Sequence, residues 1–321
     1  MTSRLPVSRR GLLKLGAGAA AGAALAGVTE PAAAATLAGR FELTAPATSL
    51  LWKKALYDET VLQSFAFDNT NKHIYLVQVK NGSGSDAEGH LCLTKLSLTG
   101  TILGHMYLMG FGHGVQIGVE PAGSSAYLWT ETDGVSSDGS SRGGKLARFK
   151  FVNGQTLTTS SSALTKYSPI AGANNTTCAI DPSTNRLIMR YWGGSGFRFA
   201  VFSLAALKAG TATKLHDAAQ PSGLGTFQGY AAYGDYVYVL TGNNYSATNP
   251  APGNTYLTCI DLRTGDQVQR ARSMAGKSLD FREPEGMGIQ IVSGAPRLCL
   301  GLASGVSGAR KASIFYKSEL V

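Results

Sequence analysis

The sequence predicts an all-β fold, a five-bladed β-propeller, from three observations. A phrase made of a polar residue, a short apolar strand, a turn and a second strand recurs five times along the chain. The copies begin at Gln63, His113, Thr176, Gln228 and Glu285, which lie 50, 63, 52 and 57 residues apart. A period of about 50 residues with several short strands per unit is typical of propeller blades. Apolar residues alternate within each copy and lack helical spacing, which excludes a helical solenoid.

Each unit contains further strands, as a blade requires. Third strands are expected from His90, Lys145, Phe197, Thr255 and Lys311, and fourth strands from Ile102, Thr156, Thr211 and Gln267. Glycine-rich stretches, such as residues 134–144 and 193–196, are predicted to be loops between strands. The fifth unit lacks a fourth strand, whereas residues 49–56 (SLLWKKAL) belong to no unit. We therefore expect this N-terminal strand to complete the last blade and close the ring, which removes an open sheet edge.

Residues 1–35 are interpreted as an export signal. Residues 8–14 (SRRGLLK) resemble a twin-arginine signal, an Ala- and Gly-rich run follows through Val28, and residues 31–35 suit a signal peptidase. A transmembrane anchor is the alternative, but the apolar run of about 14 residues is shorter than the roughly 20 that a spanning helix needs. We expect residues 36–321 to form one exported propeller domain, secreted or associated with the cell wall, monomeric and without a membrane span.

The charge of the chain bears on its partners. Removing residues 1–35 takes away four of the 29 Lys and Arg residues and one of the 20 Asp and Glu residues, which leaves a net charge of +6. This excess favours polyanionic partners through long-range attraction, and ordinary solubility explains it equally well. The sequence contains no run of five Lys or Arg residues and no nucleic-acid motif, so no nucleic-acid partner is expected. Teichoic acids, uronic-acid polysaccharides and anionic cell-wall surfaces are the predicted partners.

The four cysteines, Cys92, Cys178, Cys259 and Cys299, all fall within predicted strands. There they would behave as small buried apolar residues, although export would also permit disulfides. Cys92 and Cys259 occupy equivalent strands of different blades, too far apart to pair. No Cys-x-x-Cys or His-x-x-His spacing occurs, so no zinc site and no cofactor are expected.

The residues that lead the five repeats are the first candidates for a binding site. The inner strands of a propeller begin around one axial funnel, so Gln63, His113, Gln228, Glu285 and Thr176 (or its neighbour Asn175) are expected to meet there. Packing alone does not require a polar residue at all five positions, although a wet central channel can be lined by polar residues for structural reasons. The oxygens of Glu285, Gln228 and Gln63 would also suit a channel cation such as calcium.

The segment that leads the fifth blade is the most specific local motif in the sequence. Arg282, Glu283 and Glu285 lie within four residues, and Pro284 and Gly286 define the backbone around them. Glu285 is a candidate proton donor or acceptor, and Arg282 and Glu283 are candidate ligand-binding residues. The structural alternative is that Arg282 only neutralises Glu283 at a strand entrance.

Two further clusters carry candidate residues. His113 lies between Gly112 and Gly114, which would allow close approach of a ligand and a general-base role near neutral pH. Its alternative role is a structural hydrogen bond across the channel.

The second strand of blade three ends with Arg190, Tyr191 and Trp192, where an aromatic platform and a guanidinium suit sugar stacking and anion binding. Trp192 could equally be a wedge between blades.

The segments that lead four of the repeats resemble sequences of a bacterial and phage β-propeller family. These segments are LQSFAFD, FGHGVQIG, TFQGYA and REPEGMGI. That family includes staphylococcal phage receptor-binding proteins and the teichoic acid biosynthesis protein C, and the resemblance spans about residues 41–321. It implies a five-bladed fold and association with cell-wall glycopolymers, and it carries over no catalytic roles. The chain departs from the blade-leading Gln-Gly pattern at Gln63-Ser64 and Thr176-Thr177, so a less symmetric funnel is expected.

These observations favour an exported protein that binds an anionic cell-wall or extracellular glycopolymer at the axial funnel. Whether it also cleaves the polymer is left open by the sequence. A lyase would pair a base, His113 or Tyr191, with Arg190 or Arg282. A hydrolase would pair Glu285 with Glu283, Glu131 or Asp133. The alternative function is a non-catalytic surface-interaction or signalling propeller, in which the polar funnel is structural.

Overall fold

In the part of the chain that the structure describes, five sheets surround a common axis, which confirms the predicted all-β, five-bladed architecture. Their strands are antiparallel, apart from one short parallel strand added to the edge of one sheet. The computed structural model describes residues 39–137 and 139–321. The predicted export signal, residues 1–35, lies outside this part of the chain. Within the described ranges, no helix is long and apolar enough to cross a membrane.

The blades follow one another along the chain, each built from the axis outward. Blade one contains Leu62–Asp68, His73–Val79, Leu91–Ser97 and Ile102–Met109. Blade two contains Gly118–Ala122, Ser125–Ser137, Ser140–Lys150 and Thr165–Tyr167. Blade three contains Asn174–Asp181, Arg186–Trp192, Phe197–Ser203 and Lys214–Ala219. Blade four contains Phe227–Tyr233, Tyr236–Thr241, Tyr256–Asp261 and Gln267–Arg272. Blade five contains Glu283–Val292, Ala295–Ser304, Lys311–Lys317 and, as its outer strand, Thr48–Lys54.

Among the described residues, two short helices lie between strands. A 3-10 helix, Asp86–Glu88, lies between the second and third strands of blade one. An α-helix, Leu204–Lys208, follows the third strand of blade three. Ser203 begins this helix because its hydroxyl accepts a hydrogen bond from the Ala206 N–H, 3.3 Å away.

The ring closes as the sequence predicts. Thr48–Lys54 pairs antiparallel with Lys311–Lys317, so the N-terminal strand completes the last blade. The segment before it adds a second contact, because Phe41 is fully buried and packs edge-on against Tyr238 of blade four, 5.4 Å between ring centres. The ring is therefore closed both by backbone pairing between two strands and by the buried Phe41 side chain.

The prediction of a fourth strand of blade two from Thr156 was wrong. Thr156–Thr158 instead pairs in parallel with the outer strand of blade one, and Thr165–Tyr167 completes blade two. The backbone just before it binds to blade one through the Gly154 N–H and the His105 carbonyl, 2.7 Å apart. Leu157 is then buried in the cluster between blades one and two, which explains why the strand goes there.

The core is divided into five apolar clusters, one at each contact between neighbouring blades. The inner and second strands are buried on both faces, as their almost continuous burial shows. All four cysteines are buried in strands and unbonded, which agrees with their expected role as small apolar residues. This packing fixes the inner strands, and with them the side chains around the axis.

Candidate functional site

A cavity of about 1190 Å³ opens at the end of the ring where the inner strands begin, and all five blades contribute to its wall. It brings together eight of the ten predicted site residues, which are Gln63, His113, Asn175, Arg190, Trp192, Gln228, Glu283 and Glu285. Tyr191 and Arg282 do not line it. Arg142 and Arg310 line the cavity too, and sequence reasoning missed both.

A β-bulge places the leading residue of four inner strands in the cavity. The pairing register shifts between Leu62 and Ser64, between Asn174 and Thr177, between Phe227 and Gly229, and between Pro284 and Met287. A bulge leaves the extra residue unpaired and re-aims its side chain. Gln63, Asn175, Gln228 and Glu285 lie within these shifts, which explains how polar residues can recur there without entering the apolar contacts between blades.

The small residue after the polar one also has a physical reason. A Cβ added at Gly229 would lie 2.7 Å from the Cα of Gly286, and one added at Gly286 would lie 2.5 Å from the Cα of Ser64. The inner strands of blades four, five and one therefore touch through their backbones. Ser64 continues the ring, since its hydroxyl donates to the Gly114 carbonyl of the blade-two segment, 2.5 Å away. The polar residue lines the cavity, and the small residue lets neighbouring strands meet at the axis.

In blade two the leading residue is placed differently. His113 precedes the inner strand, which begins at Gly118 and not at His113. The glycines beside His113 are required by packing, because a Cβ at Gly114 would lie 2.6 Å from Val77 and one at Gly112 would collide with Glu131. Contacts with neighbouring side chains therefore explain why both residues are glycines, and close approach of a ligand is not required to explain them.

Gln116, in the same HGVQIG motif as His113, joins three blades at the axis although its position in the sequence gives no sign of this. Its side chain is 1% exposed. Its amide donates to the carbonyls of Ile117 and Met287, both 3.1 Å away, and its oxygen accepts from the Tyr230 N–H at 3.1 Å. Gln116 therefore joins blades two, four and five at the axis. Gln116 also lines a separate void of about 30 Å³.

The wall formed by blade five is acidic. Glu285 is 4% exposed, and no hydrogen bond or ion pair from the described residues engages its carboxyl group. Burial raises the pKa of Glu285 well above its usual value, and the nearby charge of Glu283 raises it further. Burial also raises the pKa of Glu283, which the charge of Arg310 partly offsets. Glu285 therefore holds a proton more readily than an ordinary glutamate and faces the cavity with its hydrogen-bonding capacity unused.

The blade-two wall contains an imidazole and a buried carboxylate. Burial and the charge of Arg142 lower the pKa of His113 to about 4, so this side chain is neutral at neutral pH, whereas the sequence suggested titration near neutrality. Its Nδ1 atom is buried and has no hydrogen-bond partner among the residues that the structure describes. Glu131 is also buried, and its oxygens accept hydrogen bonds from the Gly114 and Gly143 N–H groups, both at 2.6 Å. Burial raises the pKa of Glu131 to about 7. Glu131 thus fixes the backbone beside His113.

The blade-three wall is aromatic and basic. Arg190 is 5% exposed, and its guanidinium carbon lies 3.5 Å from the Phe197 ring centre and 3.7 Å from that of Phe227. Its Nε donates to the side-chain oxygen of Gln220 at 2.7 Å. Burial lowers the pKa of Arg190 to about 9. Trp192 lies beside it, edge-on to Phe197 at 5.1 Å between ring centres, and is 36% exposed. This wall offers a stacking surface next to a fixed guanidinium.

Tyr191 and Arg282 have structural partners outside the cavity. Strand alternation directs Tyr191 away from its neighbours Arg190 and Trp192, and its hydroxyl donates to Asp217 at 3.0 Å. Arg282 is fully buried and donates to the carbonyls of Ala275 and Ser273, each 2.9 Å away. It also donates to the Thr255 hydroxyl at 2.9 Å, so it joins the loop before blade five to the third strand of blade four.

Two other residues considered from the sequence also have structural partners. Asp133 forms ion pairs with Lys145 and Lys166. Thr176 is fully buried and donates to the Gly143 carbonyl at 3.2 Å, which leaves its neighbour Asn175 on the cavity wall.

The oxygens considered for a channel cation all border the cavity. Gln228 uses its amide nitrogen to donate to the Gly242 carbonyl at 2.9 Å, and Gln63 and Glu285 lie on the same wall region near the axis. Across residues 39–137 and 139–321, no group of three His, Cys, Asp or Glu side chains has metal-binding geometry.

Comparison with known proteins identifies related propellers. A family profile described as the phage five-bladed β-propeller receptor-binding platform domain matches residues 61–316. The major teichoic acid biosynthesis protein C of Bacillus subtilis (strain 168) is 30% identical over 287 residues, which cover 86% of this chain and 63% of that protein. The tail fiber of Staphylococcus aureus phage P68 has a similar structure, with a TM-score of 0.72 and 22% identity, over 87% of this chain and 54% of the fiber. This chain therefore spans less than two thirds of the length of either relative.

Proposed function

The chain belongs to the family of phage five-bladed β-propeller receptor-binding platform domains, and on this premise we propose that it binds a cell-wall glycopolymer in its axial cavity. The proposal depends on one observation above all. Polar side chains from all five blades converge on one cavity. Within the described part of the chain, the Nδ1 atom of His113 and the Nη groups of Arg190 have no side-chain partner. Ligand sites combine an apolar or aromatic lining with a few well-placed polar groups in this way.

The shape and lining of the cavity support a polymer segment as the ligand. Its volume of about 1190 Å³ exceeds the roughly 300–1,000 Å³ of sites for drug-sized ligands. Trp192 supplies a partly exposed aromatic face for a sugar ring, and Gln63 and Asn175 supply amides for hydroxyl groups. The names of both relatives are consistent with action at a bacterial surface, and we propose the same location for this protein. Export of the chain by the twin-arginine route remains a prediction from residues 1–35.

Purified cell walls test this proposal. The protein should sediment with walls that carry their glycopolymer, be released by the same polymer in soluble form, and not sediment with walls stripped of it. Equal sedimentation with intact and stripped walls would contradict the proposal.

Cleavage of the bound polymer is a second candidate function, favoured by Glu285. A buried carboxyl group with a raised pKa, facing a cavity and free of ion pairs, is suited to donate a proton to a leaving group. Glu283 is a second carboxyl group on the same wall. In an elimination, neutral His113 would instead act as the base beside Arg190.

Product analysis separates these possibilities. Incubation of the protein with polymer should shorten the polymer. For hydrolysis, Glu285→Gln should stop the shortening while binding persists, and for elimination His113→Ala should do so. An ultraviolet-absorbing product would identify elimination, and its absence hydrolysis. Unchanged polymer length with wild-type protein would exclude cleavage and leave a non-catalytic binding propeller.

A further inference from the structure

We propose that the wall formed by blades two and three contains a subsite for an oxyanion of the ligand, either a phosphodiester or a carboxylate, with Arg190 as its anchor. This inference deepens the proposed function, since it assigns the charged group of the polymer repeat to one side of the cavity.

The first support is the missing counter-ion of Arg190. Four other arginines of the described chain have carboxylate partners, namely Arg148 with Glu120, Arg186 with Asp235, Arg198 with Asp217, and Arg263 with Asp261. Arg190 is more deeply buried than any of these, yet it pairs with no carboxylate within residues 39–137 and 139–321. A buried charge without a partner is unfavourable, and an anionic ligand would remove that penalty.

The second support is the orientation of the guanidinium. The rings of Phe197 and Phe227 hold its plane from both sides, and Gln220 accepts the hydrogen bond from Nε. The two Nη groups have no acceptor among the described residues, although Arg190 borders the cavity. A planar guanidinium recognises carboxylates and phosphates through paired N–H donors. The protein therefore fixes the donor edge in place before a ligand arrives.

The third support is the charge distribution around the cavity. Arg142 also lines the cavity and lowers the pKa of Arg190, which places a second cation near the first. Across the axis, Glu283 and Glu285 line the blade-five wall, where Arg310 is the accompanying cation. Glu131 also lines the blade-two wall, but its oxygens accept the Gly114 and Gly143 N–H groups, and burial raises its pKa to about 7. The potential thus favours an oxyanion beside Arg190 and Arg142 and disfavours it beside Glu283 and Glu285. The hydroxyl groups of the repeat would then face Glu285.

Titration of the full-length protein with small probes, followed by NMR or calorimetry, tests the subsite. Dimethyl phosphate represents a phosphodiester, glucuronate a carboxylate, and methyl glucoside a neutral sugar. We expect at least one anion to bind tenfold more tightly than the neutral sugar, and the better anion identifies the class. Arg190→Met, which keeps an unbranched chain between the two rings, should weaken that anion at least tenfold. Arg186→Met, outside the cavity and paired with Asp235, should leave it unchanged.

Other results would overturn the subsite. These are equal affinity for anions and neutral sugar, or unchanged anion affinity in a folded Arg190→Met protein. If that variant does not fold, Arg142→Met is tested in its place. We expect it to weaken anion binding severalfold, and unchanged anion affinity would contradict the subsite. Polymer binding that survives Arg190→Met undiminished would refute the subsite and leave the proposed function standing. Anion binding that depends on Arg190, in a protein that binds no polymer, would support the subsite and refute the proposed function.

Discussion

Gly286 and Ser64 approach each other so closely at the ring axis that a Cβ added to Gly286 would lie 2.5 Å from the Ser64 Cα. Gly286 also has φ of +73°, a left-handed conformation that residues with a Cβ rarely adopt. Both facts arise at the bulge that turns Glu285 into the cavity. The stability of the ring and the shape of the cavity therefore depend on the same residues.

Gly286→Ala should lower the free energy of unfolding by about 2–4 kcal/mol, because overpacking and left-handed strain act together. Gly294→Ala in the next turn is the matched control, with φ of +82° but open space around its Cα. It should cost only about 1–2 kcal/mol from strain. Urea denaturation of both variants measures the difference, and equal losses would show that the contact with Ser64 is not restrictive.

Closure of the ring predicts a large effect at Phe41. Phe41→Ala should cost about 3–5 kcal/mol, since it removes a fully buried ring that joins the N-terminal segment to blade four. Leu320, which pairs with Phe41 through an isolated β-bridge after the last strand, is 39% exposed, and Leu320→Ala should cost less than about 1 kcal/mol. A small loss at Phe41, measured by thermal unfolding, would mean that the outer strand alone holds the ring closed.

Glu285 makes stability depend on pH. Its pKa is raised in the folded protein, so the folded state binds more protons than the unfolded state, and stability should fall as pH rises from the ordinary glutamate pKa through the raised one. Glu285→Gln should therefore be more stable than wild type at pH 8, by about 1–3 kcal/mol, and nearly equal at pH 4, below the ordinary glutamate pKa.

Glu42 provides the control of opposite sign for that experiment. Hydrogen bonds from Thr44 lower the pKa of Glu42 to about 2, so Glu42→Gln should not gain stability as pH rises. Denaturation curves at both pH values measure these changes. Parallel behaviour of wild type and Glu285→Gln would show that the Glu285 carboxyl group is not held in the protonated form.

Trp192 predicts a loss of ligand affinity with little loss of stability. Trp192→Ala should weaken binding of a wall glycopolymer by about tenfold, because aromatic stacking contributes on the order of 1 kcal/mol. Trp52→Ala removes a tryptophan that is 45% exposed on the outer strand of blade five and should bind normally. Equal affinity of the two variants in calorimetry would place the ligand away from blade three.

The sequence predicted the ring and most of the cavity because both follow from one repeated pattern. A polar residue before a small one marks the bulge in blades one, four and five, and this is visible at Gln228-Gly229 and Glu285-Gly286 without coordinates. Local side-chain direction was harder to predict. Their adjacency in the sequence predicts one cluster of Arg190, Tyr191 and Trp192, but alternation along a strand directs Tyr191 to the opposite side.

Other residues were missed because their positions depend on distant parts of the chain. Arg142 lies in a glycine-rich stretch that was interpreted as a loop, whereas the strands Ser125–Ser137 and Ser140–Lys150 continue through it and carry Arg142 to the cavity. Gln116 looked like an ordinary strand residue, since its partners Tyr230 and Met287 are more than 100 positions away. Arg282 looked like an anion clamp, but backbone carbonyls already occupy its donors.

A crystal structure of the protein soaked with a short fragment of wall glycopolymer tests the central claim most directly. We predict density for the fragment inside the axial cavity, with a sugar ring against Trp192 and the charged group beside Arg190. A fragment bound on the outer strands or the rim, with the cavity containing only solvent, would contradict the account.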